Sequence, residues 1–424
     1  MNNKKQWISI LIVAMSLATA WAIRGQFGHE QGAAWAGAIG GLALVLVSNR
    51  KDWYNRMTLV ALASAVGWGA GGMISYGVVV GYGRADNFVN AYYGLAMLFV
   101  IGALFGLLGG GLVGLTLDST KGNRVKWGSL IAEMTAGGFI AYFFLVEQIG
   151  IKMTPPRSEA WAVCFGAGLA MLWHMAREKR NSAIRVAIFA ALGGGFGFAF
   201  GNFLQIVGNV LEINFNMWNV MEYSIGFFGG TGMAYGVFSS KWIEEESHPK
   251  KWENSIALFL VAVFIPLIIF RETLAFEHLL RNFKDLQNAE NLAKFSTIFS
   301  AILMLAMAVF LFWKLNKTIF KKSDVKLFLV LLLTVYIILS YTLKGLFAGV
   351  THFNHHLYLL NLIVIFVLSR KERPAIFESV TEKVDSGKWL IYLILIFIVL
   401  AILTLIAINI HGKMGGSHNR FPIN

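Results

Sequence analysis

Long apolar runs separated by short polar connections follow one another along the whole chain. Most of these runs hold about 17–25 residues, the length that an α-helix needs to cross a hydrocarbon core of about 30 Å. A helix satisfies its own backbone hydrogen bonds, so a bilayer accepts it. The pattern predicts an all-α polytopic membrane protein with about thirteen transmembrane helices. We place them at residues 7–23, 31–47, 57–80, 91–117, 127–146, 160–176, 186–201, 218–238, 254–270, 295–313, 327–343, 357–369 and 389–410.

Basic residues concentrate in alternate connections between these runs. The connections on the side of the N-terminus carry 25 of the 36 Lys and Arg residues, and those on the other side carry 11. Cytoplasmic loops of membrane proteins carry such an excess. The bias predicts an N-terminus inside and, with an odd number of spans, a C-terminus outside. It also accounts for the net charge of +13 without a nucleic-acid partner.

Composition narrows the class further. Hydrophobic residues make up 57% of the chain and charged residues only 14%, whereas soluble domains carry about 25% charged residues. Cys164 is the single cysteine, which excludes an intramolecular disulfide and a Cys-based metal site. The sequence has no nucleotide-binding motif and no long soluble segment, which argues against an ATP-driven pump. We expect a multi-pass protein of a bacterial cytoplasmic (inner) membrane, with no cofactor.

The first four runs resemble the next four. Trp35 matches Trp161 and Gly40 matches Gly166 at the same offset in the sequence. Four spans per unit predict parallel copies related by an axis along the membrane normal. We therefore divide the chain into a first repeat at 1–122, a second at 123–240 and a C-terminal five-helix bundle at 241–424. Glycine could also recur merely because small residues let membrane helices pack closely. The first run resembles a cleavable signal peptide as well, but its recurrence favours a span.

The connection RGQFGHEQG is the most polar stretch between two apolar runs. The flanking runs are short, so the connection is expected to lie at membrane depth. Glycines at 25, 28 and 32 permit positive φ or close backbone approach. Irregular backbone at that depth is tolerated where it is buried in protein or lines a water-filled cavity. The stretch therefore predicts a site at this end of the molecule.

Five side chains of this connection are candidate substrate-binding groups. They are Arg24, Gln26, His29, Glu30 and Gln31. The Arg24 guanidinium would hold a carboxylate or phosphate, and free amides at the start of the second helix would favour an anion. Two other interpretations remain open at this point. Arg24 and Glu30 could form a structural ion pair, or the connection could be an ordinary exposed loop.

Carboxyl groups inside the apolar runs are candidates for proton coupling. Glu133 and Glu222 fall within predicted spans, and Glu30 joins them as the third candidate. A carboxyl group at membrane depth must be paired or protonated. Glu133 could instead pair with Lys126 or Arg124 at the inner surface. Glu222 could simply complement the N-terminus of its helix.

Histidines cluster before the twelfth run, in THFNHH. We expect His352, His355 and His356 to reach the outer leaflet and to contribute to the substrate site, with Lys344 nearby. His352 and His356 are spaced as two metal ligands on one helix face would be, but no carboxylate or thiolate lies close in sequence, and we assign no metal. Interfacial packing is the remaining alternative.

Two functions are compatible with these features. The first is a secondary transporter or facilitator of a small polar, anionic solute, with its site open to the outer face near Arg24 and Glu30. The second is an integral membrane transferase that acts at the outer face on a lipid-linked or acyl-carrying substrate, with histidines and Glu30 as acid and base. The first is favoured, and whether the protein is an enzyme stays open. The expected partners are a small-molecule solute and membrane lipid, and the sequence leaves the oligomeric state unknown.

Overall fold

A computed structural model describes residues 2–245, 249–346, 353–371 and 373–422. Every regular element in these ranges is a helix, and the single β-type contact there is an isolated bridge between Ser240 and Thr381. The all-helical prediction is therefore confirmed for the described part of the chain.

The first part of the chain folds into helices joined by short connections. They are α1 (Asn2–Arg24), α2 (Glu30–Ser48), α3 (Lys51–Tyr54), α4 (Met57–Gly72), α5 (Gly77–Gly83), α6 (Phe88–Asp118), α7 (Trp127–Ala141), α8 (Ala160–Arg177), α9 (Asn181–Val210) and α10 (Met217–Phe238). A π-helical turn, Tyr142–Gln148, continues α7.

The rest of the chain adds helices of more variable length. They are α11 (Lys251–Phe259), α12 (Ile265–Ile269), α13 (Phe276–Asn282), α14 (Ala289–Leu315), α15 (Lys322–Thr342), α16 (Phe353–Leu368) and α17 (Ser386–Ile410). The π-helical segments Leu260–Phe264 and Phe270–Leu274 flank α12 and join α11 to it in one rod.

Length and hydropathy support fewer membrane crossings than the sequence pattern predicts. Among the described residues, nine helical rods are long and apolar enough to cross a membrane, or ten if α4 and α5, which meet at a bend of 66°, form one span. Helices α8 and α10 are not among them, and α16 is a shorter apolar helix. Each predicted run does coincide with a helix, but the count of thirteen crossings stays a prediction.

Six helices close into a ring. Around it, α1 packs on α2, α2 on α4, α4 on α6, α6 on α9, α9 on α10, and α10 returns to α1. Glycine-rich faces meet where α6 crosses α9, which lets the two backbones approach closely. Four buried aromatic rings fill the interior. The ring centroids of Trp21 and Trp68 are 5.0 Å apart, those of Trp21 and Phe105 5.5 Å, and those of Phe105 and Phe198 5.9 Å.

The later helices pack on this ring and on one another. α15 packs on α2 and α16 on α1, whereas α17 packs across α6 and α9. α14 also packs on α13 and α15, and α15 on α16. The five-helix C-terminal bundle stays a prediction. The two predicted repeats also have different surroundings: α1 lies within the ring, whereas its counterpart α7 packs mainly on α8. The repeat and its boundaries stay predictions.

The two ends of the ring differ in how their connections are built. At the end that holds the N-terminus, buried arginines bind the carbonyl ends of helices. Arg56 donates to the carbonyl of Ser119 at 2.6 Å, and Arg180 donates to the Asp118 carboxylate at 3.2 Å and the Asn123 side chain at 2.9 Å. Cations placed there complement helix C-termini. The opposite end carries the candidate site.

Candidate functional site

A cavity of about 800 Å³ opens at the end of the ring where α1 turns into α2. Its walls come from that connection, the bend between α4 and α5, the connection before α8, the start of α10 and the facing ends of α15 and α16. The volume lies within the range of pockets that bind small molecules, about 300–1,000 Å³. Seven ionisable side chains line it: His29, Glu30, Tyr76, Arg157, Glu222, Lys344 and His355.

The connection between α1 and α2 is a tight, well-anchored turn. Gly28 has φ of +93°, a left-handed conformation that favours glycine. At Gly32, a Cβ would lie 2.5 Å from the carbonyl oxygen of Arg24, so only glycine lets the first turn of α2 approach the end of α1 so closely. Phe27 is buried and stacks on Tyr336 at 5.1 Å. These anchors leave His29 and Glu30 exposed to the cavity.

The floor of the cavity is an ion pair bridged by a tyrosine. Nη2 of Arg24 donates to Oε2 of Glu222 at 2.8 Å and to the Tyr76 hydroxyl at 3.0 Å. The Tyr76 hydroxyl in turn donates to Oε1 of Glu222 at 2.6 Å. The guanidinium also lies over the Trp21 ring, 4.6 Å from its centroid. Three distant segments are thereby joined at one buried point.

Arg24 is fully buried and does not itself line the cavity, whereas its partner Glu222 does. Direct contact of Arg24 with a ligand stays a prediction. Arg24 pairs with Glu222 of α10 rather than with Glu30, which starts α2 on the cavity side. Nε and Nη1 of Arg24 have no hydrogen-bond acceptor among the described residues.

Two exposed cations stand on the cavity wall. Arg157 precedes α8, and Lys344 follows α15; neither has an ion-pair partner within the described ranges. The segment that carries Arg157 is held by the buried carboxylate of Glu159. That carboxylate accepts from the backbone N–H groups of Met153 at 2.8 Å and Thr154 at 3.0 Å, and from the Trp161 indole at 2.6 Å.

Uncharged polar side chains connect the wall to the ring. Asn354 donates to the Tyr358 hydroxyl at 3.0 Å, and that hydroxyl donates to Asn219 at 2.6 Å. Asn219 then donates to the carbonyl of Ala22 in α1 at 2.8 Å. On the other side, Gln26 accepts from the Ser340 hydroxyl at 3.0 Å. The network ties α16, α10 and α1 together and leaves amide groups on the cavity surface.

Among the histidines, His29 and His355 line the cavity. Partial desolvation and the nearby Arg24 guanidinium lower the pKa of His29 below its ordinary value, which favours the neutral ring. His355 is buried between the rings of Tyr341 and Tyr358, with centroids at 5.2 and 5.7 Å. His356 is exposed, 3.0 Å from the Tyr341 hydroxyl, and is not a lining residue. His352 lies outside the described residues.

Two further predicted site residues lie away from the lining. Gln31 donates to the Glu272 carboxylate at 2.6 Å and so ties α2 to the segment after α12. Glu133 accepts from Arg177 at 2.6 Å, and its other oxygen is 3.2 Å from Nδ1 of His174. This pairing resembles the inner-surface alternative, although with Arg177 rather than Lys126 or Arg124. Neither residue has a described link to the cavity.

Several residues that line the cavity were not predicted from the sequence. Tyr76, Trp218 and Asn219 carry no local signal, because only the packing of α4, α10 and α16 brings them to one surface. Trp218 presents its ring at the rim, with the Arg84 guanidinium 5.3 Å from the ring centroid. Arg157 did have a signal: in the predicted repeat, its connection is the counterpart of the one that contains Arg24.

No protein-family model, curated protein or solved structure matches this chain. The cavity is therefore the feature from which a function can be inferred. Within the described residues, no three His, Cys, Asp or Glu side chains come together as a metal site would require. The cavity does combine two cations that have no ion-pair partner among those residues, amide groups, a histidine with a lowered pKa and a buried ion pair. Such a set suits a polar solute that carries a negative group.

Proposed function

We propose that the protein is a secondary transporter or facilitator of a small polar, anionic solute. The observation that carries this proposal is the cavity of about 800 Å³, which ends on the buried Arg24–Glu222 pair inside a ring of helices. Ionisable groups at membrane depth usually mark a substrate or ion pathway. Arg157 and Lys344 would attract and hold the negative group, and the amides of Gln26, Asn216 and Asn219 would bind hydroxyl or carbonyl groups.

The proposed orientation places the cavity outside. The basic connections lie at the opposite end of the ring, and the positive-inside bias puts that end in the cytoplasm. The C-terminal tail folds back at the cavity end, where the backbone N–H of His418 donates to the carbonyl of Gly81 at 3.0 Å. Thirteen crossings, an inner N-terminus and an outer C-terminus agree with this arrangement. We place the protein in a bacterial inner membrane on these grounds.

Binding and uptake assays test the proposal together. Purified protein would be screened by thermal shift against small carboxylates, inorganic phosphate, sugar acids, amino acids and neutral sugars. A solute that stabilises the protein would then be offered, radiolabelled, to liposomes that contain it. The proposal predicts saturable uptake, lost in Arg157→Ala and Lys344→Ala. Lys294→Ala is the matched control, because this exposed lysine pairs with Glu290 on α14 and is not a lining residue of the cavity.

A membrane transferase is the second candidate. It is favoured by the adjacent side chains of His29 and Glu30, which both face the cavity as an acid–base pair would. A lipid-linked anion would then enter the same site, and Arg157 or Lys344 would bind its phosphate. Stabilisation only by lipid-linked compounds, with release of a product in their presence and no uptake of soluble anions, would favour the transferase and contradict the transporter.

A further inference from the structure

The Arg24–Glu222 pair is a neutral unit held almost entirely out of water. The Arg24 side chain has 0% and the Glu222 side chain 8% of its surface exposed. Both carboxylate oxygens are engaged, one by Arg24 and the other by Tyr76. The guanidinium uses one nitrogen, Nη2, for both contacts, which leaves Nε and Nη1 without acceptors among the described residues. The two charges therefore neutralise each other, but two N–H-bearing nitrogens of Arg24 still lack hydrogen-bond acceptors among the described residues.

Charge balance constrains what this unit can do. A buried cation without a counter-charge is strongly unfavourable, and removing one member of a buried pair strongly destabilises a protein. If Glu222 takes up a proton, Arg24 needs another anion. The cavity is the nearest route by which one can arrive, because Glu222 lines the cavity and separates it from Arg24.

We propose that an anionic solute and the Glu222 carboxylate compete for Arg24, so that each anion bound at the floor is accompanied by one proton on Glu222. This proposal rests on the proposed function and adds its coupling. Two states then keep the floor neutral: the ion pair seen here, and a state with Arg24 bound to the solute beside a protonated Glu222. In the second state Glu222 has taken up one proton from the bulk solution through the cavity, and no covalent bond in the solute changes.

The geometry fits such an exchange. Glu222 contacts Arg24 through one oxygen and one nitrogen, so a rotation of its side chain uncovers the guanidinium. Nη2, released from Glu222, then offers two parallel N–H groups to a carboxylate or phosphate together with either Nε or Nη1, a bidentate arrangement that arginine favours. The Tyr76 hydroxyl contacts both members of the pair, and can retain Arg24 as a donor partner while Glu222 moves.

Other charged and titratable groups face Glu222 and must be separated from its effect. Arg24 and His29 approach it from the α1–α2 connection, Tyr76 from the bend before α5, and Tyr358 from α16. Glu30, Arg157, Lys344 and His355 share the cavity at its walls. Of the groups that approach Glu222 directly, His29 titrates closest to neutral pH, so it needs its own control.

The pH dependence of anion binding tests this coupling. Purified protein would be titrated with lactate, gluconate and inorganic phosphate between pH 5.5 and 8, at constant ionic strength set with sodium chloride. The proposal predicts that the apparent affinity for at least one of the three probes rises by up to about tenfold for each unit fall in pH. Glu222→Gln, which carries no charge, would bind the same probe with an affinity nearly independent of pH. His29→Gln would retain the slope of the wild type.

A second readout does not depend on knowing the natural solute. In Glu222→Gln, Arg24 lacks its counter-charge, so the melting temperature of this variant should rise with each probe much more than that of wild type at pH 7.5. The neutral double variant Arg24→Gln/Glu222→Gln should fold and show no such response. An equal rise in melting temperature in all three proteins would overturn the proposal. It would also be overturned if the double variant folds but Glu222→Gln fails to fold even with the probes present.

The two proposals fail in different ways. If a probe binds wild type with the same affinity at every pH, the protein still binds an anion but Glu222 does not couple it to a proton, and the inference is wrong. If Glu222→Gln responds to the probes while no solute enters liposomes through wild type, the exchange at Arg24 stands and the transport function is wrong.

Discussion

The guanidinium of Arg24 and the carboxylate of Glu222, 198 positions apart in the chain, form a 2.8 Å ion pair beneath an open cavity. The pair joins α1 to α10 at the point where the ring of helices meets the site. Each member is buried, so each is needed to neutralise the other. The stability of the site thus depends on both residues, and the proposed competition for Arg24 makes anion affinity depend on the same pair.

A double-mutant cycle on this pair should reveal strong coupling. We expect Arg24→Gln and Glu222→Gln each to destabilise the protein by about 3–5 kcal/mol, and the double variant to lose much less than the sum. The measurement is the thermal unfolding of the purified variants in detergent without added anions. Losses that simply add would mean that the two side chains do not stabilise each other.

The close approach of the first turn of α2 to the end of α1 gives a second prediction. Gly32→Ala places a Cβ 2.5 Å from the Arg24 carbonyl oxygen, and should lower stability by about 1–3 kcal/mol through overpacking. Gly25→Ala is the matched control from the same connection, because a Cβ there meets no atom within 4 Å. Thermal unfolding of the two variants checks the prediction, and equal melting temperatures would contradict the tight turn.

The lowered pKa of His29 predicts the sign of a pH effect on stability. A histidine whose pKa is lower in the folded state binds its proton more readily when unfolded, so stability is lost as pH falls through the unfolded pKa. When the pH is lowered from 7.5 to 5.5, the melting temperature of wild type should therefore fall further than that of His29→Gln. An anion bound in the cavity should reduce this loss. Parallel curves for the two proteins would show that His29 is not perturbed.

The orientation of the chain can be measured with single cysteines. Cys164 is buried, and Cys164→Ala provides a background without thiols. In intact cells, a membrane-impermeant maleimide added from outside should label Lys152→Cys, which lies at the cavity end, and should not label Lys121→Cys at the opposite end. Opening the cells should allow both to react. The reverse labelling pattern would mean that the orientation in the membrane is inverted and that the cavity faces the cytoplasm.

Helices could be predicted from this sequence because the bilayer imposes their length on the apolar runs. Every predicted run overlaps a helix, with 57–80 divided between α4 and α5. Whether α8, α10 and α16 cross the membrane stays a prediction, because α16 is short and because hydropathy does not register how a polar residue of one helix is paired by another. Glu222 in α10 illustrates such pairing, since Arg24 of α1 lies 2.8 Å from its carboxylate.

The candidate site could be predicted only where its residues are adjacent in sequence. Gln26, His29 and Glu30 lie on the cavity because a short glycine-rich turn orients them together. The partner of Arg24 could not be deduced, because it depends on how α1 packs against α10. Lys344 is expected near the site and does line the cavity, whereas Arg157 is not among the predicted site residues, because the fold brings its connection there.

The equilibrium affinity of the cavity variants for a stabilising anion tests the central claim most directly. The affinity would be measured for wild type, Arg157→Ala, Lys344→Ala and the control Lys294→Ala under identical salt. Hydrogen bonds to charged groups contribute about 1.5–3 kcal/mol, so each cavity variant should lose roughly tenfold or more while the control binds like wild type. Unchanged affinity in both cavity variants would mean that the anion binds elsewhere, and would contradict the site described here.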